Sequence, residues 1–220
     1  MLTPKTYTTE KRLRTPRQIE IVNAAVALIG SKGIGALTTR NLSKALGVTE
    51  PIIYRHFENK IAVLAAILSF LEESNRKISE SFVKRDGPAL RRIEELYMHH
   101  FAGFTKTPAL TTAIFCDEHY RQEKLLMDCI LRIMETTSES IENILRDGKR
   151  RHEVRGDIPI EQIAFVIMGT MRFAVTKWRL NHYKTDLVSS GKELFRSLHI
   201  LFKGEDSEVS ANQRQRSTKA

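Results

Sequence analysis

Several side chains in this 220-residue sequence have the chemistry to bind or transform something. Cys116-Asp117-Glu118-His119 offers a C-x-x-H pair of metal-capable groups, but a zinc cage needs a second such pair. His99 and His100 are adjacent, so they point to different faces of a helix and do not easily chelate one ion together. Cys129 is the only other cysteine, which excludes a disulfide framework and suits a reduced, cytoplasmic compartment. The sequence holds no G-x-S-x-G, no phosphate loop and no dinucleotide fingerprint. The expectation is therefore no enzyme, no metal and no cofactor. A denser set lies between residues 39 and 60. There Thr39, Thr49 and Tyr54 carry hydroxyls, and Arg40, Arg55, His56 and Lys60 carry cationic or cation-forming groups. Such groups donate hydrogen bonds to anionic oxygens.

The charge distribution points the same way. Lys and Arg number 35 against 26 Asp and Glu, giving +9 and an isoelectric point near 9.7. A surplus of this size implies a polyanionic partner, nucleic acid or an anionic membrane surface. Residues 1–60 hold ten of the basic residues and only four of the acids, so most of the surplus sits in little more than a quarter of the chain. The most apolar stretch, Ile160 to Trp178, is interrupted by Glu161, Gln162, Arg172 and Lys177, so it is no bilayer span. MLTPKTYTTEKRLR has no apolar core and is no secretory signal.

The elements that must position these groups are helices. Hydrophobic residues make up 41% and charged residues 28%, an ordinary globular balance, and strand-like alternation is nearly absent. Ile19, Val22, Val26 and Ile29 recur at helical spacing before Gly30 and Gly33 stop the first helix. Thr38 or Thr39 can cap a second short helix that Gly47 ends, and Thr49 a third with Pro51 in its first turn. Asn59 caps a longer fourth helix, and further helices are expected to about residue 202, with a long one from about Tyr120 to Arg151. The predicted class is all-α with about nine helices.

Residues 38–57, TTRNLSKALGVTEPIIYRHF, meet the requirements of a helix-turn-helix. Ser43 and Ala45 allow close crossing, Gly47 accepts a left-handed turn, and Leu42, Leu46, Val48 and Ile53 supply the inner faces. Glu50, Pro51, Ile52, Arg55 and His56 are left facing outward, where base edges of a major groove could meet them.

From Leu37 through Leu64 the sequence closely resembles the DNA-binding domain of the tetracycline-repressor (TetR) family. Thr39, Gly47-Val48, Tyr54, Phe57 and Lys60 occupy the places of that family's pattern. The resemblance is specific over roughly residues 15–70 and architectural beyond. It implies that Thr39, Tyr54 and Lys60 anchor phosphates, that Arg40 can read guanine, and that Glu50, Pro51 and Ile52 face bases. Glu50 is a departure, because an acid does not approach phosphate cheaply; it would accept from a cytosine amine or face solvent.

The remaining chain is divergent. The helix over 160–182 is apolar nearly all round, which calls for burial by its own core and by a second subunit. The resemblance implies a homodimer through a four-helix bundle of the last two helices, with Phe173, Trp178, Leu194, Leu198 and Leu201 as candidate interface residues. It also implies an effector cavity, with Phe101, Phe104, Phe115, His119, Met134, Phe165, Met168 and Arg172 as candidate lining. A mostly apolar lining suits a hydrophobic small molecule. The expected organisation is a flexible basic arm (1–14), a helix-turn-helix domain (15–60), a ligand-binding and dimerisation domain (61–203) and a disordered polar tail (204–220). The expected function is a ligand-responsive repressor that binds double-stranded DNA at a pseudopalindromic operator. The alternatives are a non-specific architectural DNA binder without effector and a helical ligand carrier that never meets DNA.

Overall fold

The computed structural model describes residues 15–115 and 120–204. The expected arm at 1–14, Cys116 to His119 and the tail from 205 onward lie outside the described residues. Gly204, expected to open the tail, is buried and donates its N–H to the Glu153 carbonyl at 3.0 Å.

Among the described residues there are nine α-helices and no strand. They are α1 (Pro16–Lys32), α2 (Thr39–Leu46), α3 (Glu50–His56), α4 (Lys60–Val83), α5 (Ala89–Lys106), α6 (Pro108–Phe115), α7 (Lys124–Arg150), α8 (Ile160–Leu180) and α9 (Leu187–Phe202), with a 3-10 turn at Ile34–Ala36. The long seventh helix starts later than its apolar spacing predicts, because Tyr120 to Gln122 form a turn first.

Capping chemistry sets these boundaries. Thr15 and Gln18 form a reciprocal capping box at α1, with Pro16 in the first turn, where a missing N–H is harmless. The Thr38 hydroxyl accepts from the Asn41 N–H at 3.1 Å and so caps α2. Thr49 holds the capping position of α3 but makes no side-chain cap hydrogen bond. Asn59 caps α4 by accepting from the Ala62 N–H at 3.0 Å.

The chain packs as two compact units. The first comprises residues up to 75 together with 107–134, a different partition from a division at residue 60. Its core contains Ile21, Ala25, Ile29, Leu42, Ile53, Leu64 and Leu68, joined by Ala113, Tyr120 and Leu126. Helices α1 and α6 touch closely. A Cβ on Gly30 would come within 2.7 Å of the Ala109 Cβ, so only glycine fits there without a shift.

The second unit, residues 76–106 and 135 onward, packs α5 on α9 and α9 on α8. Tyr97 is fully enclosed, its ring 5.1 Å from that of Phe195 and edge-on to Phe101. Trp178 donates its indole N–H to the Thr185 carbonyl at 2.9 Å, closing the turn after α8.

Candidate nucleic-acid interface

Helices α2 and α3 form the expected helix-turn-helix. Gly47 adopts the left-handed conformation, φ 65° and ψ 31°, that an L side chain rarely accepts. The next residue, Val48, donates its N–H to the Ser43 carbonyl at 3.0 Å, which pulls the chain back across the end of α2. Ser43 is buried and its hydroxyl is satisfied by the Arg40 carbonyl, so a small polar residue sits at the crossing without an orphaned group. Leu42, Ile53 and Phe57 are buried and fix the face that α3 turns inward.

That leaves an outward face uncovered by its own unit. Thr49, Pro51, Tyr54 and Arg55 are exposed, Tyr54 by 52%, while Glu50, Ile52 and His56 are half-buried. Arg40 on α2 and Lys60, the first residue of α4, are exposed as well. Arg40, Arg55 and Lys60 have no carboxylate within ion-pair distance among the described residues, so their charges remain available to a partner. Lys60 adds an ammonium to the partial positive charge of a helix start.

The structure changes the reading of Glu50. Its carboxylate accepts the Thr39 hydroxyl at 2.9 Å, and the Tyr54 hydroxyl lies 3.3 Å from the same Thr39 oxygen. Thr39 has one proton and gives it to Glu50, so in this arrangement Thr39 has none left for a phosphate. With that proton on Glu50, Tyr54 is the donor to Thr39, and its hydroxyl must rotate outward to meet a phosphate. Glu50 thus ties α3 to the start of α2 and places negative charge beside Thr39 and Tyr54, the candidate phosphate anchors. Glu50→Gln keeps an acceptor for Thr39 and removes that charge. It is expected to raise affinity for duplex of any sequence by about fivefold at low salt. Fluorescence anisotropy measures this, and a loss of affinity confined to one preferred site would instead show Glu50 reading a base.

Sequence reasoning missed Asn41. Its side-chain amide donates to the Ala36 carbonyl at 2.8 Å and holds the 3-10 turn against α2, fixing the lead-in to Thr38 and Thr39. An asparagine at the third position of a helix opened by Thr38 was the available signal.

The candidate effector residues scatter. Phe101 is buried, and Phe104 stacks on His100 with centroids 6.4 Å apart; Met168 and Arg172 are half-buried. Phe115 and Met134 belong to the first unit, where Phe115 is half-buried and Met134 exposed. His119 lies outside the described residues. Phe165 is 78% exposed and lines no interior of this chain. It falls on one stripe of α8 with Val166, Phe173 and Leu180, and α9 adds exposed Ile200 and Leu201. Phe173 and Leu201 thus lie on a free apolar face, while Leu194 is half-buried. Trp178 and Leu198 are enclosed by their own chain and stand behind that face.

Buried polar atoms of the second unit without a hydrogen-bond partner among the described residues include Ser79 Oγ, Tyr97 Oη and His100 Nε2. Burial raises the Tyr97 phenol far above its ordinary range. Burial, with the neighbouring His99 charge, lowers His100 to about 4, so its imidazole is neutral at pH 7.

Known proteins share this design. Residues 21–67 match the bacterial regulatory proteins of the tetR family, and residues 67–201 match the C-terminal region of YsiA-like proteins. The fatty acid metabolism regulator protein of Bacillus subtilis is 27% identical over 179 residues, covering 80% of this chain and 90% of that protein. The nucleoid occlusion factor SlmA of Vibrio campbellii is 26% identical over 175 residues, covering 78% and 88%. The solved fatty acid degradation regulator FadR of Bacillus halodurans superposes with a TM-score of 0.73 at 22% identity, covering 84% of this chain and 96% of that one. FadR of B. subtilis in complex with stearoyl-CoA gives 0.68 at 25% identity, covering 82% and 96%. With an outward recognition helix in its first unit and matches that run from residue 21 to residue 201, the chain belongs to the TetR family of bacterial regulatory proteins.

Proposed function

We propose that this regulator is a homodimeric repressor that leaves its operator when a long-chain acyl-CoA binds its C-terminal region. DNA binding and response to a small molecule come with the family; the effector class is the new element. The observation that carries it is the YsiA-like match over residues 67–201, together with the likeness to a regulator solved with stearoyl-CoA. The enclosed Tyr97 and His100 among Phe101, Phe104 and Phe195 support it, because they bring hydrogen-bonding groups into apolar surroundings. The exposed stripe on α8 and α9 supports pairing of two copies, and a twofold pair calls for a pseudopalindromic operator. No helix among the described residues is long and apolar enough to cross a membrane, and a DNA-bound regulator of this kind acts in the cytoplasm. The reading assigns no catalytic role to any residue.

Release requires the ligand to prefer the DNA-incompetent state, since equal affinity for both states shifts nothing. Genomic footprinting with purified protein identifies the operator, and titration with stearoyl-CoA then tests the effector. Loss of the footprint is expected; an unchanged footprint at saturating stearoyl-CoA rejects this effector class. The likeness to nucleoid occlusion factors favours a second reading, an architectural DNA binder without effector. Specificity separates the two, because a regulator prefers its operator over random DNA by about 10³-fold or more.

In either reading Lys60 and Tyr54 act on phosphates. Lys60→Ala is expected to lower affinity for all sequences and to reduce the salt slope by about one. Tyr54→Phe removes a neutral donor. It should lower affinity while leaving the slope unchanged, since no counterion is released by a hydroxyl. Affinities measured across a salt series check both.

A further inference from the structure

The first unit carries a cation that the helix-turn-helix does not include. Tyr120 is buried, and its hydroxyl donates to the Ala113 carbonyl at 3.0 Å, which pins the turn at 120–122 to the core. Arg121 follows directly, exposed on that fixed turn. It has no ion-pair or hydrogen-bond partner among the described residues. Arg121 and Lys60 line the same cleft of about 560 Å³, whose floor includes Leu37, Ile61 and Leu64. Glu123 also lines the cleft. It directly precedes α7, and its backbone carbonyl accepts the Leu126 and Met127 N–H groups, so its negative charge sits next to the partial positive charge of a helix start. The two unpaired cations therefore dominate the rim, and one of them already belongs to the DNA-binding surface.

We propose that Arg121 is a further DNA-backbone contact, extending the phosphate-binding surface from Lys60 onto the turn between α6 and α7. This rests on Lys60 being a phosphate contact. The partner is the duplex rather than a small anion, because the surface is continuous with Lys60 and the charge is complementary to a sugar-phosphate strand. A guanidinium fork suits phosphate oxygens, and the fixed turn lessens the ordering cost of using it. The contact also gives segment 107–134 a direct share in DNA affinity. That segment packs on α1 through α6, so any ligand that moves it changes affinity for DNA, and DNA changes affinity for the ligand in return.

The test is binding of a random-sequence duplex of about 30 base pairs between about 50 and 200 mM salt. Arg121→Ala is expected to lower affinity severalfold and reduce the salt slope by about one, with Arg121→Glu larger in both. Lys124→Ala is the control, because Lys124 is exposed on the same stretch but paired with Asp128 at 2.7 Å, and should change neither. Thermal melts of all variants should coincide, since Arg121 makes no hydrogen bond or ion pair among the described residues. A slope for Arg121→Ala equal to wild type, or no different from Lys124→Ala, overturns the proposal. Lys60→Ala separates the two readings: if it flattens the slope and Arg121→Ala does not, only the extension fails. If neither does, the Lys60 contact fails as well.

Discussion

Replacing Arg92 with alanine is expected to destabilise the protein by roughly 3–4 kcal/mol. Arg92 is only 4% exposed and joins three helices of the second unit. Its guanidinium donates to the Phe82 carbonyl at 3.2 Å, to the Val83 carbonyl, and to the Asp147 carboxylate at 2.8 Å. Phe82 and Val83 are the last residues of α4, where a helix leaves its carbonyls without intrahelical donors. Arg92 on α5 supplies those donors, so it caps α4 and ties the cap to α7. Alanine leaves the Val83 carbonyl without its donor, takes from the Phe82 carbonyl one of two donors (the Arg85 N–H stays at 3.3 Å), and leaves a cavity the size of the lost side chain. Asp147 suffers less, because Arg150 at 3.2 Å and Arg151 at 2.6 Å remain with it. Asp147→Asn should therefore cost about 1 kcal/mol, because the amide oxygen still accepts from Arg92 and the pairs with exposed Arg150 and Arg151 contribute little. The two variants discriminate the cause. Thermal melts at one fixed protein concentration should place Arg92→Ala on the order of 10 °C below wild type, with Asp147→Asn close to wild type. Equal shifts would mean that the ion pair, and not the carbonyl cap, is what Arg92 contributes.

Arg92 also marks where sequence reasoning ends. A buried arginine capping another helix ten residues back leaves no periodic trace, whereas local capping does. Thr38, Gly47 and Asn59 act as their residue types predict, with Gly47 supplying the left-handed turn between α2 and α3. Partners across a turn were harder to see. The Thr39–Glu50 hydrogen bond spans eleven positions, so nothing local in the sequence pairs the two residues. Apolar periodicity shows that a helix face is buried but not by what. On α8 it marked all sides as apolar, and the structure separates them into Ile163, Ile167, Val175 and Trp178 turned inward and Phe165, Phe173 and Leu180 turned outward. Trp178, a dimer-surface candidate because the helix reads as apolar all round, is enclosed within its own chain, where its indole N–H closes the turn after α8. The packing of residues 107–134 with the DNA-binding helices is likewise tertiary; Gly30 and Ala109 bear on it only as a pair.

Acidification below about pH 6.5 is expected to weaken the fold, and His100 is the reason. Its Nε2 is enclosed without a protein partner, its ring stacks on Phe104, and the His99 ring lies 6.1 Å away. Desolvation first, then His99, lowers its pKa to about 4, against 6.5 for the ordinary side chain. Between those values the unfolded chain binds a proton that the folded chain refuses. Stability therefore falls as pH drops below about 6.5 and levels off below about 4, by roughly 3 kcal/mol in all. The aspartates move in a separate window. Asp147, held down by hydrogen bonds from Arg150 and Arg92, and Asp157, lowered to about 2 by Arg155, contribute stability above the ordinary carboxylate range and lose it only as pH falls further. His100→Phe keeps a ring against Phe104 and removes the titrating nitrogen. Urea unfolding between pH 7 and pH 5 should show wild type losing roughly 2 kcal/mol more than the variant. Parallel curves would show that His100 protonates without cost and that its nitrogen is not enclosed. A bound effector that gave Nε2 a hydrogen-bond acceptor would favour the charged imidazole and shrink this difference. The same titration with stearoyl-CoA present then reports whether the ligand reaches His100.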